Sequence, residues 1–294
     1  MDTNIVQVAI DALALGSLYA LTALGIGLIF GVMRLINFAH GDFLMVGGYS
    51  LIVPSSAATA TLFIGAWPAP LLVAAVCVIV VLLALACERL AFRPVRRAAP
   101  SVLLITSFAV SYFLENAVIM IYGGRPKTMN LWQGLMEPIL VADVRIPKLQ
   151  IVTIVVTLAL LVLLAVFLRR TPTGVAMRAA SEDFRMARLL GVRANRVIAV
   201  AFAISGFLAA ATSFLLVAQT GTLSYHMGVS LVLFGFVATV IGGFAVGIVS
   251  VLFQVVLPIA WRPNRDVWVY GMILLVLLLR PSGLIKVKSI EERA

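Results

Sequence analysis

From Ile5 to Val32 the chain carries one charged side chain, Asp11, in 28 positions. A helix of that length rises roughly 40 Å, more than the ~30 Å hydrocarbon core of a bilayer. Further apolar stretches follow near 36–53, 69–87, 101–122, 150–168, 197–219, 228–243, 245–260 and 267–280. Backbone that crosses hydrocarbon must satisfy its own hydrogen bonds, which leaves helices or closed barrels. Barrel strands are short and alternate apolar with polar residues, and these stretches do neither. Composition agrees: 12% of the 294 residues are charged and 63% hydrophobic, with a mean hydropathy of +1.13. A soluble domain carries about 25% charge. The expectation is an all-α integral membrane protein, a single transmembrane domain over residues 1–294. It would be a polytopic bundle of about 8–9 transmembrane or re-entrant helices, with the second, seventh and eighth segments short or glycine-broken.

Charge orients these segments. Arg34, the stretch 88–97, the loop 169–196 and the tail 280–294 hold 16 of the 22 basic residues. Placing them all in the cytoplasm obeys the positive-inside rule. With nine crossings the N-terminus is then outside and the C-terminus cytoplasmic. The remaining basic residues fall in 123–149 and 261–266, beside Glu137, Asp143 and Asp266. The formal charge of +10 thus belongs to loops, and no aromatic-interleaved basic patch for nucleic acid is visible. "MDTNIVQ" lacks a basic n-region, so the first apolar segment is expected to be retained. Cys77 and Cys87 lie ten apart on one helix, cannot pair, and read as small buried hydrophobes. In the first segment Ala12, Gly16 and Ala20 recur every fourth position, as do Ala23, Gly27 and Gly31. Small residues at that spacing admit a neighbouring helix closely.

Catalytic signatures are missing. No lysine follows a glycine, so the chain has no P-loop, and H-E-x-x-H, C-x-x-C and G-x-S-x-G are absent too. An intramembrane enzyme is therefore disfavoured. Polar side chains within the apolar segments are few: Asp11, Glu115 with Asn116, Gln219, His226 and Gln254. Such groups are costly in hydrocarbon and mark pathways, relays or helix contacts. One stretch differs by combining several polar residues, "RLINFAHGDFLMVGGYS" from Arg34 to Ser50. There Asn37, Phe38, His40, Gly41 and Asp42 are translocation-pathway candidates. Gly41, Gly47 and Gly48 permit either a broken helix or a tight backbone approach. A broken helix exposes backbone dipoles to a polar solute at membrane depth. "VLFGFVATVIGGFAVG", 232–247, is a second glycine-rich stretch in the opposite half.

The loop 169–196 is the longest between basic ends. Thr173 or Ser181 can cap a helix, and Glu182 and Asp183 then favour the first turn of the second candidate. Phe184, Ala187, Leu190 and Gly191 space as i, i+3, i+6 and i+7, a short amphipathic helix closed by glycine. Its apolar face suits a soluble partner or the membrane surface equally.

Three strings resemble one family. "GSLYALTALGIGLIFGVMRLINFAHGDFLMVGGY" (16–49), "RAASEDFRMARLLGV" (178–192) and "LLLRPSGLI" (277–285) are similar to signatures of the permease subunits of branched-chain amino acid ABC importers. The resemblance runs nearly end to end. It implies a second homologous permease, two ABC ATPase subunits and a periplasmic or extracellular substrate-binding protein, all within membrane lipid. It implies no cofactor on this chain, with ATP held by the partner ATPases, which fits the missing P-loop. It implies that Ala180, Glu182, Asp183, Ala187, Leu190 and Gly191 form a coupling helix docked on an ATPase. The membrane would be the bacterial inner membrane. After the late "GG" the chain departs from the family pattern with "IGGFAVGIVSVLFQVVLPIAWRPNRD", bulkier than usual. The solute therefore stays open among branched-chain amino acids, urea, amides and aromatic acids. A stand-alone secondary transporter remains the alternative from another class.

Overall fold

The computed structural model describes residues 5–35, 37–55, 57–96, 98–129, 131–141, 144–241 and 271. The segments expected near 245–260 and 267–280 lie outside the described residues apart from that last position. Five described helices are long and apolar enough to cross a bilayer. They are α1 (Ile5–Met33), α3 (Ala69–Val95), α4 (Pro100–Tyr122), α5 (Lys148–Arg170) and α8 (Ala194–Thr220). A short helix α2 (His40–Tyr49) lies between α1 and α3. The pair α6 (Pro172–Glu182) and α7 (Phe184–Leu189) connects α5 to α8, and α9 (Met227–Ile241) follows.

Local chemistry sets the boundaries. Proline occupies the first turn of α3, α4 and α6, where its missing N–H costs no helical bond. Gly123 at φ +83° and Gly221 at φ +62° follow α4 and α8, a left-handed stop natural to glycine. Arg34 stops α1 the same way at φ +54°, which costs an L-residue about 1 kcal/mol. Near its end α3 widens into one π-helical turn, Glu88–Phe92.

Two ends can be distinguished. At one, an Arg34 guanidinium N–H donates to the Ser181 carbonyl at 2.9 Å, and Arg96 donates to Asn195 at 2.6 Å and to Glu88. This basic end gathers the first three arginine-bearing regions. At the other end β1 (Lys127–Thr128) pairs antiparallel with β4 (Thr222–Leu223). The Lys127 ammonium there is buried and donates to the Ser55 and Ala57 carbonyls. A hairpin of β2 (Pro138–Val141) and β3 (Val144–Pro147) leads into α5.

The centre is built from α1, α2 and α8. Of the most apolar window in α1 and in α8, 67% is buried, against 22% in α4 and 17% in α5. The outer helices present Phe108, Phe113, Met120, Val155 and Leu163 outward, as lipid-facing helices do. The seam Ala12, Gly16 and Ala20 is buried, whereas Gly27 and Gly31 are only half-buried. Cys87 is buried and Cys77 half-buried, and both are free thiols.

Candidate functional site

At 10 residues, α2 rises about 15 Å, half a bilayer core. It is enclosed by α3, α4, α8 and α9, and every residue except Val46 is buried. The non-helical stretch before it is also inside: Leu35, Asn37 and Ala39 are buried. Irregular backbone at membrane depth survives only when covered in this way. The glycines do not break the helix. A Cβ on Gly41 would sit 2.7 Å from the Gly228 carbonyl oxygen, and one on Gly228 would overlap that of Gly41. Here the α2 and α9 backbones touch. Gly47 and Gly48 likewise meet Ser213 and Leu223. Of the two uses the sequence leaves open for these glycines, the structure adopts close approach.

The polar residues of this stretch have defined surroundings. His40 is fully buried, and its Nδ1 lies 2.9 Å from the Ser205 hydroxyl of α8. The ring leans on α1 at Gly25, where a Cβ would overlap it. Asn37 is fully buried, yet neither its amide nitrogen nor its oxygen has a protein partner. Phe38 stacks on Phe108 of α4, centroids 4.3 Å apart. Asp42 is buried, lies beside Ser111 of α4, and keeps Oδ2 unpartnered.

From Asp42 a polar track continues toward the far end. Glu115, one turn beyond Ser111, lies within electrostatic reach of Asp42. Its carboxylate meets His226 Nδ1 at 3.2 Å, and the His226 ring packs on Tyr225 at 4.0 Å. Tyr49, at the end of α2, has a buried hydroxyl without a partner and faces Tyr122, ring centroids 5.0 Å apart. Each unsatisfied buried polar atom costs about 1–3 kcal/mol. Such a track can hold a polar solute or water by exchanging hydrogen bonds. No group of three or more His, Cys, Asp or Glu residues able to hold a metal occurs among the described residues.

The loop residues form two helices with a break between them. Thr171 caps α6 by accepting from the Gly174 N–H at 3.0 Å. Asp183 caps α7 by accepting from the Arg185 and Met186 N–H groups at 2.8 and 2.9 Å. The capping residues are thus Thr171 and Asp183, where the sequence suggests Thr173 or Ser181. Ala180 is buried near the end of α6, and Glu182 is its exposed last residue. In α7 Ala187 is buried and Phe184 packs against the core. Gly191 closes the unit at φ +90°. Met186, Leu189 and Leu190 point outward, Leu189 at 81% and Leu190 at 79% exposure. The unpartnered apolar face is therefore 186–189–190, displaced from the 184–187–190 face that spacing alone suggests.

Sequence reading missed Ser111, Ser205 and Tyr49 as site residues. A hydroxyl in an apolar helix is common enough that only its partner gives it meaning. Glu115 and His226 are visible singly, but their pairing across 111 positions is not.

Comparison with known proteins matches residues 8–279 to the model of the branched-chain amino acid transport system / permease component family. The chain is 32% identical to the high-affinity branched-chain amino acid transport system permease protein BraD of Pseudomonas aeruginosa, over 97% of each. It is also 32% identical to the permease protein LivH of the corresponding system in Salmonella typhimurium and in Escherichia coli K12, again over 97% of each. No solved structure matches the chain. With its membrane-crossing helices and an end-to-end match of this kind, the chain belongs to the family of branched-chain amino acid transport system permease components.

Proposed function

We propose that the chain is the transmembrane permease subunit of an ATP-binding cassette importer for branched-chain or related amino acids. It lies in the bacterial inner membrane with the basic end in the cytoplasm, the N-terminus outside and the C-terminus cytoplasmic. A second homologous permease completes the pathway. Two ABC ATPases dock at the basic end, and a periplasmic or extracellular binding protein delivers solute at the other. No cofactor resides on this chain.

One observation carries the proposal: the α6–α7 hairpin presents Met186, Leu189 and Leu190 to the outside at the basic end. Their burial in a partner's groove would remove apolar surface worth about 25 cal/mol per Å². The Asp183 cap fixes α7, and the Arg34 bond to Ser181 links the hairpin to the end of α1, so movement of the hairpin makes or breaks that link. ATP-driven closure of the ATPases then rocks the helices around α2 between outward- and inward-open forms. The Asn37–Asp42–Glu115 track supplies the polar lining for the solute. Solutes with an ammonium group, as in the names of the relatives, suit its two acidic side chains.

Co-expression with the genes for the ATPases, the second permease and the binding protein provides the test. A stable complex whose ATP hydrolysis is stimulated by loaded binding protein is expected. Failure of any ATPase to associate would refute the proposal.

A further inference from the structure

A cleft of about 360 Å³ opens at the basic end between the end of α1 and the α6–α7 hairpin. It is near the lower end of the roughly 300–1,000 Å³ typical of ligand sites, the size for one small molecule. None of the Asp42–Glu115 track lines it, and neither does any residue of α2 or α9. Its apolar wall is Val32, Leu103 and Ile198, from α1, α4 and α8. Its polar rim carries Arg34, Arg96 and Arg185 against Glu182 and Asp183.

The charges discriminate between ligands. Three arginines and two acidic side chains share the rim, and Glu88 pairs with Arg96 beside it. A phosphate would meet Glu182 and Asp183 as well as the arginines. A zwitterion would meet both signs, its carboxylate on a guanidinium fork and its ammonium on Glu182. Arg96 retains a buried Nε with no partner. Arg34 uses one Nη on the Ser181 carbonyl and has other donors left. The apolar wall then accepts an aliphatic side chain.

We infer that this cleft binds a free amino acid with an apolar side chain from the compartment at the basic end, and that its occupancy locks the hairpin to α1. Imported product thereby slows its own import. The inference rests on the importer reading above. A ligand bridging Arg34 and Glu182 ties together the parts that ATP-driven motion must separate.

The complete importer, with its ATPases, is reconstituted in proteoliposomes with binding protein and leucine outside and ATP inside. Initial ATP hydrolysis is measured with and without luminal leucine, and with luminal inorganic phosphate. Luminal leucine should slow hydrolysis at least about twofold once it exceeds the concentration that fills half the sites, and phosphate should not. Met33 and Leu103 both line the cleft; Met33→Trp and Leu103→Trp, which fill it, should abolish the slowing while basal hydrolysis stays within about twofold. Equilibrium binding of labelled leucine to the solubilised complex should fall by one site per permease in the same variants. Absence of slowing in the wild type, equal slowing in both variants, unchanged binding stoichiometry, or equal slowing by phosphate overturns the inference. A wild-type complex with no leucine-stimulated hydrolysis at all would instead refute the importer reading.

Discussion

Gly25→Ala sets two effects of known sign against each other. In a helix interior alanine is better than glycine by about 0.5–1 kcal/mol, so propensity alone makes the change stabilising. The structure opposes it. The new methyl would overlap His40 Cε1 and lie 2.7 Å from its Nε2. His40 is fully buried and held by Ser205 at 2.9 Å, so the ring can retreat only by giving up that hydrogen bond. Overpacking of this kind costs about 1–3 kcal/mol, and an orphaned buried hydroxyl adds about 1–3 kcal/mol. Sterics should therefore win by roughly 1–5 kcal/mol. At about 2–4 °C per kcal/mol for a chain of this size, the melting temperature in detergent falls by several degrees. His40→Ala alone leaves a cavity and an unpaired Ser205, and costs about 2–4 kcal/mol. In the double variant the methyl introduced by Gly25→Ala occupies space the ring has left, so the two costs should fall short of additivity by at least about 1 kcal/mol. Unfolding followed by intrinsic tryptophan fluorescence on all four proteins provides the measurement. A stabilised Gly25→Ala, or strict additivity, would refute the wedged placement of His40.

Asp42→Asn or Glu115→Gln should lower leucine uptake by about tenfold, the loss of one charge-assisted hydrogen bond of roughly 1.5–3 kcal/mol, while assembly with the ATPases is unchanged; uptake within twofold of wild type would remove both from the pathway. Asp183→Ala deletes the cap of α7 at a cost of about 1 kcal/mol, and should leave ATP hydrolysis running with uptake reduced, whereas Asp183→Asn, which still accepts from the same N–H groups, should retain coupling. The hydrogen bond from Lys148 at 2.9 Å holds the Glu137 carboxyl below its ordinary range. A carboxylate whose folded value is depressed contributes above the unfolded value and loses that contribution as pH falls through the folded one. The pair is exposed, so the effect is small; Lys148→Gln should flatten the acid limb of the melting profile slightly, and an unchanged limb would show the pair to be inert.

Much of the fold is legible because hydrocarbon imposes few solutions. Charge-poor runs become α1, α3, α4, α5 and α8, and Arg34, the arginines of 88–96 and the 169–196 loop gather at one end as charge bias suggests. Less of the site can be read. Gly41 looks the same in a sequence whether it bends α2 or lets Gly228 touch it, since both exploit a missing Cβ. The apolar face of α7 shifts from the expected set because Asp183, by taking the cap, fixes the phase of the helix. Phe184 and Ala187 then turn inward and Met186 and Leu189 outward. Asp11 reads as an interface or vestibule residue, yet it is satisfied by Gln7 and, across 139 positions, by Gln150 at 2.7 Å. Such long-range pairings depend on how helices stack, which periodicity within one segment does not encode.

In the proposed importer, ATP bound on separate chains drives movement through this one by way of the α6–α7 hairpin. Leucine uptake into proteoliposomes containing the full complex, compared for wild type and Leu190→Asp, tests it most directly. Uptake should require ATP and binding protein, and Leu190→Asp should abolish it while the permease remains folded and membrane-embedded. Unimpaired uptake by Leu190→Asp, or uptake by the isolated chain driven by an ion gradient without any ATPase, would contradict it.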